Sequence, residues 1–305
     1  MGTTATPGSA RDAVRPHAGP DGAVPPTAGA LPNLIVIGAQ KCGTSGLHFY
    51  LSLHPEISVS RPKELNFFIA ERNWPLGVDW YRSHFDPSAK VRSEASPNYT
   101  AYPQHLEVPE RMHSVVPDAR LLYMVRDPLD RIAAHWVHNY AKRREKGDLG
   151  ATLLHPNTSY LARSHYHAQL QRFLRLYPRD RMMVIEQEEL RASRLATLRR
   201  VFEFAGVDPE FSHPGFAAER HRTSRKRRST AITRMMQRLD RRTGRVPAAR
   251  IRAAVGSVIP FGRSIELPGV REALPPETLR SLRDDAERLR DLTGLDLSSW
   301  KIWEI

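Results

Sequence analysis

A short unbroken apolar run, Leu34-Ile35-Val36-Ile37, ends in Gly38 and passes directly into the polar loop Ala39-Gln40-Lys41-Cys42-Gly43-Thr44. After the loop, Leu47, Tyr50, Leu51 and Leu53 recur at helical spacing as far as His54-Pro55. A strand apolar on both faces belongs inside a sheet covered by helices, so the order strand, loop, helix is the first half of a β-α-β unit. The pattern returns at Ala119 to Val125, which stops at Arg126-Asp127-Pro128 and feeds a helix running to about Lys142. A third copy is Arg181 to Ile185, with an acidic stop at Glu186 to Glu189 and a helix from Leu195 to Gly206. These repeats predict an α/β fold: a P-loop-like three-layer sandwich with a central parallel β-sheet flanked by helices. Ligands of such sheets bind outside the carboxyl ends of the strands, where the loops after Gly38 and at Arg126 both lie.

Outside that core, residues 1 to 32 carry six prolines among Gly, Ala, Ser and Thr, the composition of a disordered leader; 33–305 reads as one domain. Lys and Arg number 46 against 33 Asp and Glu, giving a net charge of +13 and predicting anionic partners. The excess is local. The segment 220–252, whose Ile232, Met235, Met236 and Leu239 follow a helical stripe, holds 13 basic residues against the single Asp240. A helix is also expected over Pro276 to Thr293, with Trp300 and Trp303 docking the end of the chain. Cys42 is the only cysteine, which excludes an intramolecular disulfide framework and a cysteine zinc cluster and fits a reducing compartment. With no long apolar span and no secretory leader, a cytoplasmic location is the expectation. His135 and His138 lie three apart without a third ligand type nearby, so no metal is expected.

The loop Gly38-x-x-Lys41-x-Gly43-Thr44-Ser45 suits an anion, because backbone N–H groups at a helix start carry positive potential and here join an ammonium and two hydroxyls. It is not a Walker A loop, whose lysine follows the last glycine directly. Lys41-Cys42-Gly43-Thr44-Ser45-Gly46-Leu47 resembles the 5′-phosphosulfate loop of sulfotransferases that use 3′-phosphoadenosine-5′-phosphosulfate (PAPS). Leu53-His54-Pro55 and Lys63-Glu64-Leu65-Asn66-Phe67-Phe68 are similar to segments of heparan sulfate sulfotransferases and their bacterial relatives. Val125-Arg126-Asp127-Pro128 with Arg131 resembles the family's 3′-phosphate motif, and Glu94-Ala95-Ser96-Pro97-Asn98-Tyr99 its Glu-x-x-Pro-x-Tyr segment.

The resemblance implies transfer of a sulfuryl group from PAPS to a hydroxyl or amine by in-line displacement, giving 3′-phosphoadenosine-5′-phosphate (PAP), with no metal. It implies Lys41 at the phosphosulfate bridge, with Cys42, Gly43, Thr44 and Ser45 around the 5′-phosphate. Glu64 is the implied general base, with Glu94 its rival, and Arg126 the implied 3′-phosphate ligand. Arg227 and Arg228, in a late basic stretch, match the loop that closes over the nucleotide. Two positions depart from the pattern. Ala134 stands where the family has a 3′-phosphate serine, which leaves Arg131, His135 or another basic residue to substitute; Ala95 stands where glycosaminoglycan enzymes carry a lysine. The acceptor, small molecule, carbohydrate or lipid, is not named by these residues; Tyr160, Tyr166 and Gln169 are candidates to line its cleft or, for the tyrosines, to pack the core. The alternatives are a P-loop nucleotide-dependent kinase and a nucleic-acid-binding protein using segment 220–252.

Overall fold

The computed structural model describes residues 29–145, 148–153, 158–218 and 269–304. The basic segment 220–252, with Arg227 and Arg228, lies outside the described residues, as do residues 1–28 of the expected leader. From Leu31 the chain packs against the core, and Arg92 Nε donates to the Leu31 carbonyl at 2.8 Å.

Five strands form one parallel sheet: β1 (Leu34–Gly38), β2 (Ile57–Val59), β3 (Val91–Ala95), β4 (Arg120–Val125) and β5 (Met182–Glu186), in the order β2-β3-β1-β4-β5. Helices flank it, and the expected sandwich is the observed one. Helix α1 (Thr44–Leu51) follows β1 and packs beside β1, β2 and β3. Then come α2 (Gly77–Arg82), α3 (Val108–Val115), α4 (Pro128–Ala141), α5 (Leu149–Leu153), α6 (Ser159–Ala162), α7 (Tyr166–Leu174), α8 (Gln187–Ala192), α9 (Arg194–Ala205) and α10 (Pro276–Thr293). All five residues of β1 are buried, and its side chains from Leu34 to Ile37, with Leu121 and Leu122 of β4, form the middle of the core. Burial of this kind contributes about 1.5–3 kcal/mol per large aliphatic side chain.

The acidic stop at Glu186 to Glu189 begins on the last residue of β5 and continues into α8, two carboxylates falling in the first turn where the helix dipole favours them. The expected late helix runs over Pro276 to Thr293 as read, and ends at Gly294, whose φ of 69° is the left-handed conformation that a residue without Cβ adopts at no steric penalty. Its Asp285 accepts from the N–H groups of His167 (2.9 Å) and Ala168 (3.0 Å), so a carboxylate from a distant helix caps the first turn of α7.

Candidate active site

The loop between β1 and α1 is shaped by close approach. A Cβ on Gly38 would lie 1.9 Å from the Thr100 hydroxyl, so only glycine fits between β1 and the chain that crosses it. Lys41 and Gly43 both adopt left-handed backbone, with φ of 78° and 90°. This turn directs the N–H of Cys42 inward to the Ala39 carbonyl at 3.1 Å, while the N–H groups of Gly43, Thr44 and Ser45 make no hydrogen bond to any described residue. No side chain caps α1. Three consecutive unpaired N–H groups at the start of a helix, with Lys41 in the same loop, form a concave positive surface suited to a phosphate or sulfate. Cys42 itself points the other way. Its thiol is buried 3.5 Å from the Tyr166 hydroxyl, and burial pushes it up to about 11, so the side chain is a neutral part of the core.

Arg126 follows the last residue of β4, the strand next to β1. Its guanidinium is buried and lies 3.1 Å from Asp130 and 3.8 Å from Glu188, yet among the described residues its Nε makes no hydrogen bond, and neither does Glu188 Oε2. A buried cation held by two carboxylates with a donor left over can exchange a partner for a bidentate oxyanion. The candidate substitutes for the missing serine, Arg131 and His135, are engaged with partners of their own. Ala134 is sealed inside α4, and Arg131, fully buried, donates to Ser164 Oγ (2.6 Å), to the Tyr160 carbonyl and, at 3.4 Å, to the Gln40 carbonyl. Arg131 thus ties α4 to the Lys41 loop. His135 packs against Tyr160 with tilted rings whose centroids are 4.4 Å apart, and burial, aided by the Arg131 and Arg163 charges, holds its pKa well below the usual imidazole range.

Glu64 lies five residues beyond β2 in a loop, and its φ is 67°. Its carboxylate is half exposed and paired with Lys63 at 2.8 Å. The loop returns Glu64 to α1, because both Lys63 and Glu64 act on the charge of His48, one helical turn beyond Thr44. Burial chiefly, then the Lys63 and Arg61 charges, lowers His48 to about 4, so this imidazole is neutral.

The rival carboxylate has a different place. Glu94 is fully buried in β3 and accepts hydrogen bonds from Ser96 Oγ (2.5 Å), Tyr99 Oη (2.7 Å) and Tyr81 Oη. Two of these three hydroxyls accept from the backbone beyond Glu64: Ser96 Oγ from the N–H of Asn66 (2.9 Å), Tyr99 Oη from that of Phe67 (3.0 Å). Burial pushes the Glu94 carboxyl up from 4.5, opposed by these donors, and it has no surface to meet an acceptor. It is the hub that fixes the Glu64 loop, assisted by Phe67 stacked on Tyr81 at 4.3 Å. Sequence reading missed this role; the signal available was Glu94 flanked by Ser93 and Ser96 just before the Pro97-Asn98-Tyr99 turn. Glu94→Ala, which strands three hydroxyls, is expected to destabilise the fold by roughly 3–5 kcal/mol in urea denaturation, far more than Glu64→Ala.

The end of the chain buttresses the β4 and β5 ends. Trp300 is buried and donates to Glu186 Oε1 at 2.6 Å, the N–H of Ile302 to Asp127 Oδ2 at 3.2 Å, and Lys301 Nζ to Asp130 at 2.8 Å. Burial, with the nearby Glu188 charge, raises the Glu186 carboxyl from 4.5 to about 7. Because the native state holds this proton and the unfolded chain releases it, the contribution of Glu186 to stability falls as pH rises from about 4.5 to about 7 and is flat above. Melting temperatures of wild type and Glu186→Gln are therefore expected to diverge across that interval in favour of the variant at the higher pH; parallel profiles would refute the shift. Tyr160 and Tyr166 are buried in the core, and Gln169 bonds the backbone of Tyr102 and Ala162, so all three serve packing here. Among the described residues there is no group of three or more His, Cys, Asp or Glu side chains placed to hold a metal ion, and no helix long and apolar enough to cross a membrane.

A parallel sheet whose central strand leads into a helix start with unpaired N–H groups among the described residues, with a buried guanidinium at the end of the adjacent strand, defines an α/β protein with two cationic positions at the carboxyl ends of neighbouring strands. The chain belongs to the sulfotransferase family: the sulfotransferase domain matches residues 31–238. It is 29% identical over 209 residues to human bifunctional heparan sulfate N-deacetylase/N-sulfotransferase 2, covering 60% of this chain and 23% of that protein. It is also 29% identical over 195 residues to mouse heparan sulfate glucosamine 3-O-sulfotransferase 5, covering 60% of this chain and 55% of the relative. The chain thus spans from under a quarter to about half the length of these relatives. A solved sulfotransferase from Alicyclobacillus acidocaldarius superposes with a TM-score of 0.62 at 27% identity, covering 89% of this chain and 99% of that one.

Proposed function

We propose that the protein moves a sulfuryl group from PAPS to a hydroxyl or amine of an acceptor, releasing PAP. The observation that carries the reading is the pair of anion positions on adjacent strands: the unpaired N–H groups of Gly43 to Ser45 beside Lys41, and Arg126 with its unmatched Nε. A nucleotide phosphorylated at both 5′ and 3′ positions presents two such anionic ends. Gly43, Thr44 and Ser45 hold the 5′-phosphate and Arg126 the 3′-phosphate, while Arg227 and Arg228 close over the nucleotide. Cys42 shapes the turn from within. The acceptor oxygen or nitrogen attacks sulfur, the bond from sulfur to the bridging oxygen breaks, and PAP leaves with that electron pair; Glu64 takes the acceptor's proton. Lys41 stabilises the charge that grows on the bridging oxygen, a preorganised cation acting more on the transition state than on the ground state. A sulfuryl group carries less charge than a phosphoryl group, so this clamp works without a metal. The kinase alternative falls with the family assignment. One domain over 33–305, a cytoplasmic location and an acceptor that is a small molecule, carbohydrate or lipid belong to the same reading.

The test is a thermal shift with PAP and no metal. PAP is expected to raise the melting temperature by mass action, where ATP with Mg²⁺ does not. Arg126→Ala should abolish the preference for PAP over adenosine 5′-phosphosulfate, which lacks the 3′-phosphate, and Arg126→Lys should keep part of it because charge survives the loss of the bidentate fork. A shift with ATP and Mg²⁺ but none with PAP overturns the reading.

A further inference from the structure

Arg163, between α6 and α7, is 7% exposed and has no carboxylate within ion-pair distance among the described residues. Its hydrogen bonds go to three neutral amide oxygens: Nε to Gln104 Oε1 (3.2 Å), Nη1 to Gln40 Oε1 (3.2 Å) and to Asn98 Oδ1 (2.9 Å). Nη2, with two N–H groups, makes none among the described residues. Burial chiefly, then the positive charges of Arg131 and Arg72, pushes the guanidinium down to about 9. A buried cation is ordinarily matched by an anion, and here the described residues supply none and add repulsion.

The partners of Arg163 define where that anion would sit. Gln40 precedes Lys41 in the phosphate loop. Asn98 donates to Asn66 Oδ1 at 2.9 Å, and Asn66 Nδ2 donates to the carbonyl of Glu64 at 2.7 Å. Arg163 therefore joins the loop assigned to the donor on one side to the loop of the candidate base on the other, the gap that an acceptor must enter. We propose that Arg163, through Nη2, holds an oxyanion in this gap: a sulfonate, sulfate, phosphate or carboxylate that completes its charge when substrate is bound. The inference rests on the sulfotransferase reading. Its oxyanion has two sources, the sulfuryl group of the donor or an acidic group beside the acceptor's nucleophile.

Calorimetric titrations separate them. Inorganic sulfate is titrated into wild type, Arg163→Gln and Arg163→Lys, each saturated with PAP or with PAPS, and the PAPS and PAP affinities are measured on each protein. Sulfate that binds both loaded forms of wild type, weakens about tenfold or more in Arg163→Gln and recovers in part in Arg163→Lys places an acidic acceptor group on Arg163. Sulfate that binds only the PAP form, with the preference for PAPS over PAP falling about tenfold in Arg163→Gln, assigns the donor's sulfuryl group. Wild type that neither binds sulfate nor prefers PAPS over PAP overturns the proposal without any variant, as does an Arg163→Gln protein unchanged in both. Failure of PAP itself to bind counts against the sulfotransferase reading, whereas PAP binding with no dependence on Arg163 counts against this inference alone.

Discussion

Alanine in place of Lys41 is expected to lower sulfuryl transfer by about 10³-fold, the range seen when one preorganised donor is removed from a developing oxyanion. Lys41 belongs to the turn that exposes the N–H groups of Gly43 to Ser45, and its left-handed backbone holds it there before any ligand arrives. Substitution by alanine keeps a Cβ at the same φ, so the fold is expected to persist. Part of the loss appears as weaker PAP binding, since the ammonium faces charge already present in the ground state, and the larger part appears in turnover. Single-turnover transfer measured beside calorimetric PAP affinity divides the two. A variant with wild-type turnover and wild-type PAP affinity would remove Lys41 from the mechanism.

Glu64→Gln is expected to divide the same two quantities differently: PAP affinity within about twofold of wild type, turnover lower by about 10²-fold or more. The amide keeps the shape of the side chain but cannot take the acceptor's proton. Its partner Lys63, 2.8 Å away, loses its counter-charge, which matters little for stability because exposed pairs contribute about 0–1 kcal/mol. Glu94→Gln gives the contrast, since Glu94 acts on the acceptor only through Ser96, Tyr99 and the Glu64 loop. That variant is expected to lose stability first, with turnover falling as the loop loosens. Full turnover in Glu64→Gln with loss only in Glu94→Gln would shift the assignment of the base.

The strands that run apolar from end to end were legible in the sequence because both faces of a central parallel strand are buried: Leu34 to Ile37, Leu121 to Val125 and Met182 to Ile185 announce themselves. β3 did not, since Arg92, Ser93 and Glu94 break the apolar run. It is stable between β2 and β1 because the hydroxyls of Tyr81, Ser96 and Tyr99 satisfy Glu94; Ser96 and Tyr99 follow it directly in the chain, whereas Tyr81 comes from α2. Tyr81 is thirteen residues from Glu94, and local pattern carries no information about it.

The site divides along the same line. The sequence by itself determined the Lys41 to Ser45 loop and the place of Arg126, because an anion cradle at a strand end is built from consecutive residues whose conformation follows from glycine, strand and helix start. It also determined the family, since several short motifs stand in order along one chain. Only the tertiary structure decided that Glu94 is a buried hub and Glu64 the exposed carboxylate, that Arg131 braces Gln40, and that Arg163 lies between two loops with no anion among the described residues. The physical reason is that burial and charge balance are sums over neighbours distant in sequence: the same carboxylate or guanidinium is a solvated charge, a packed hub or a ligand site according to what the fold places around it.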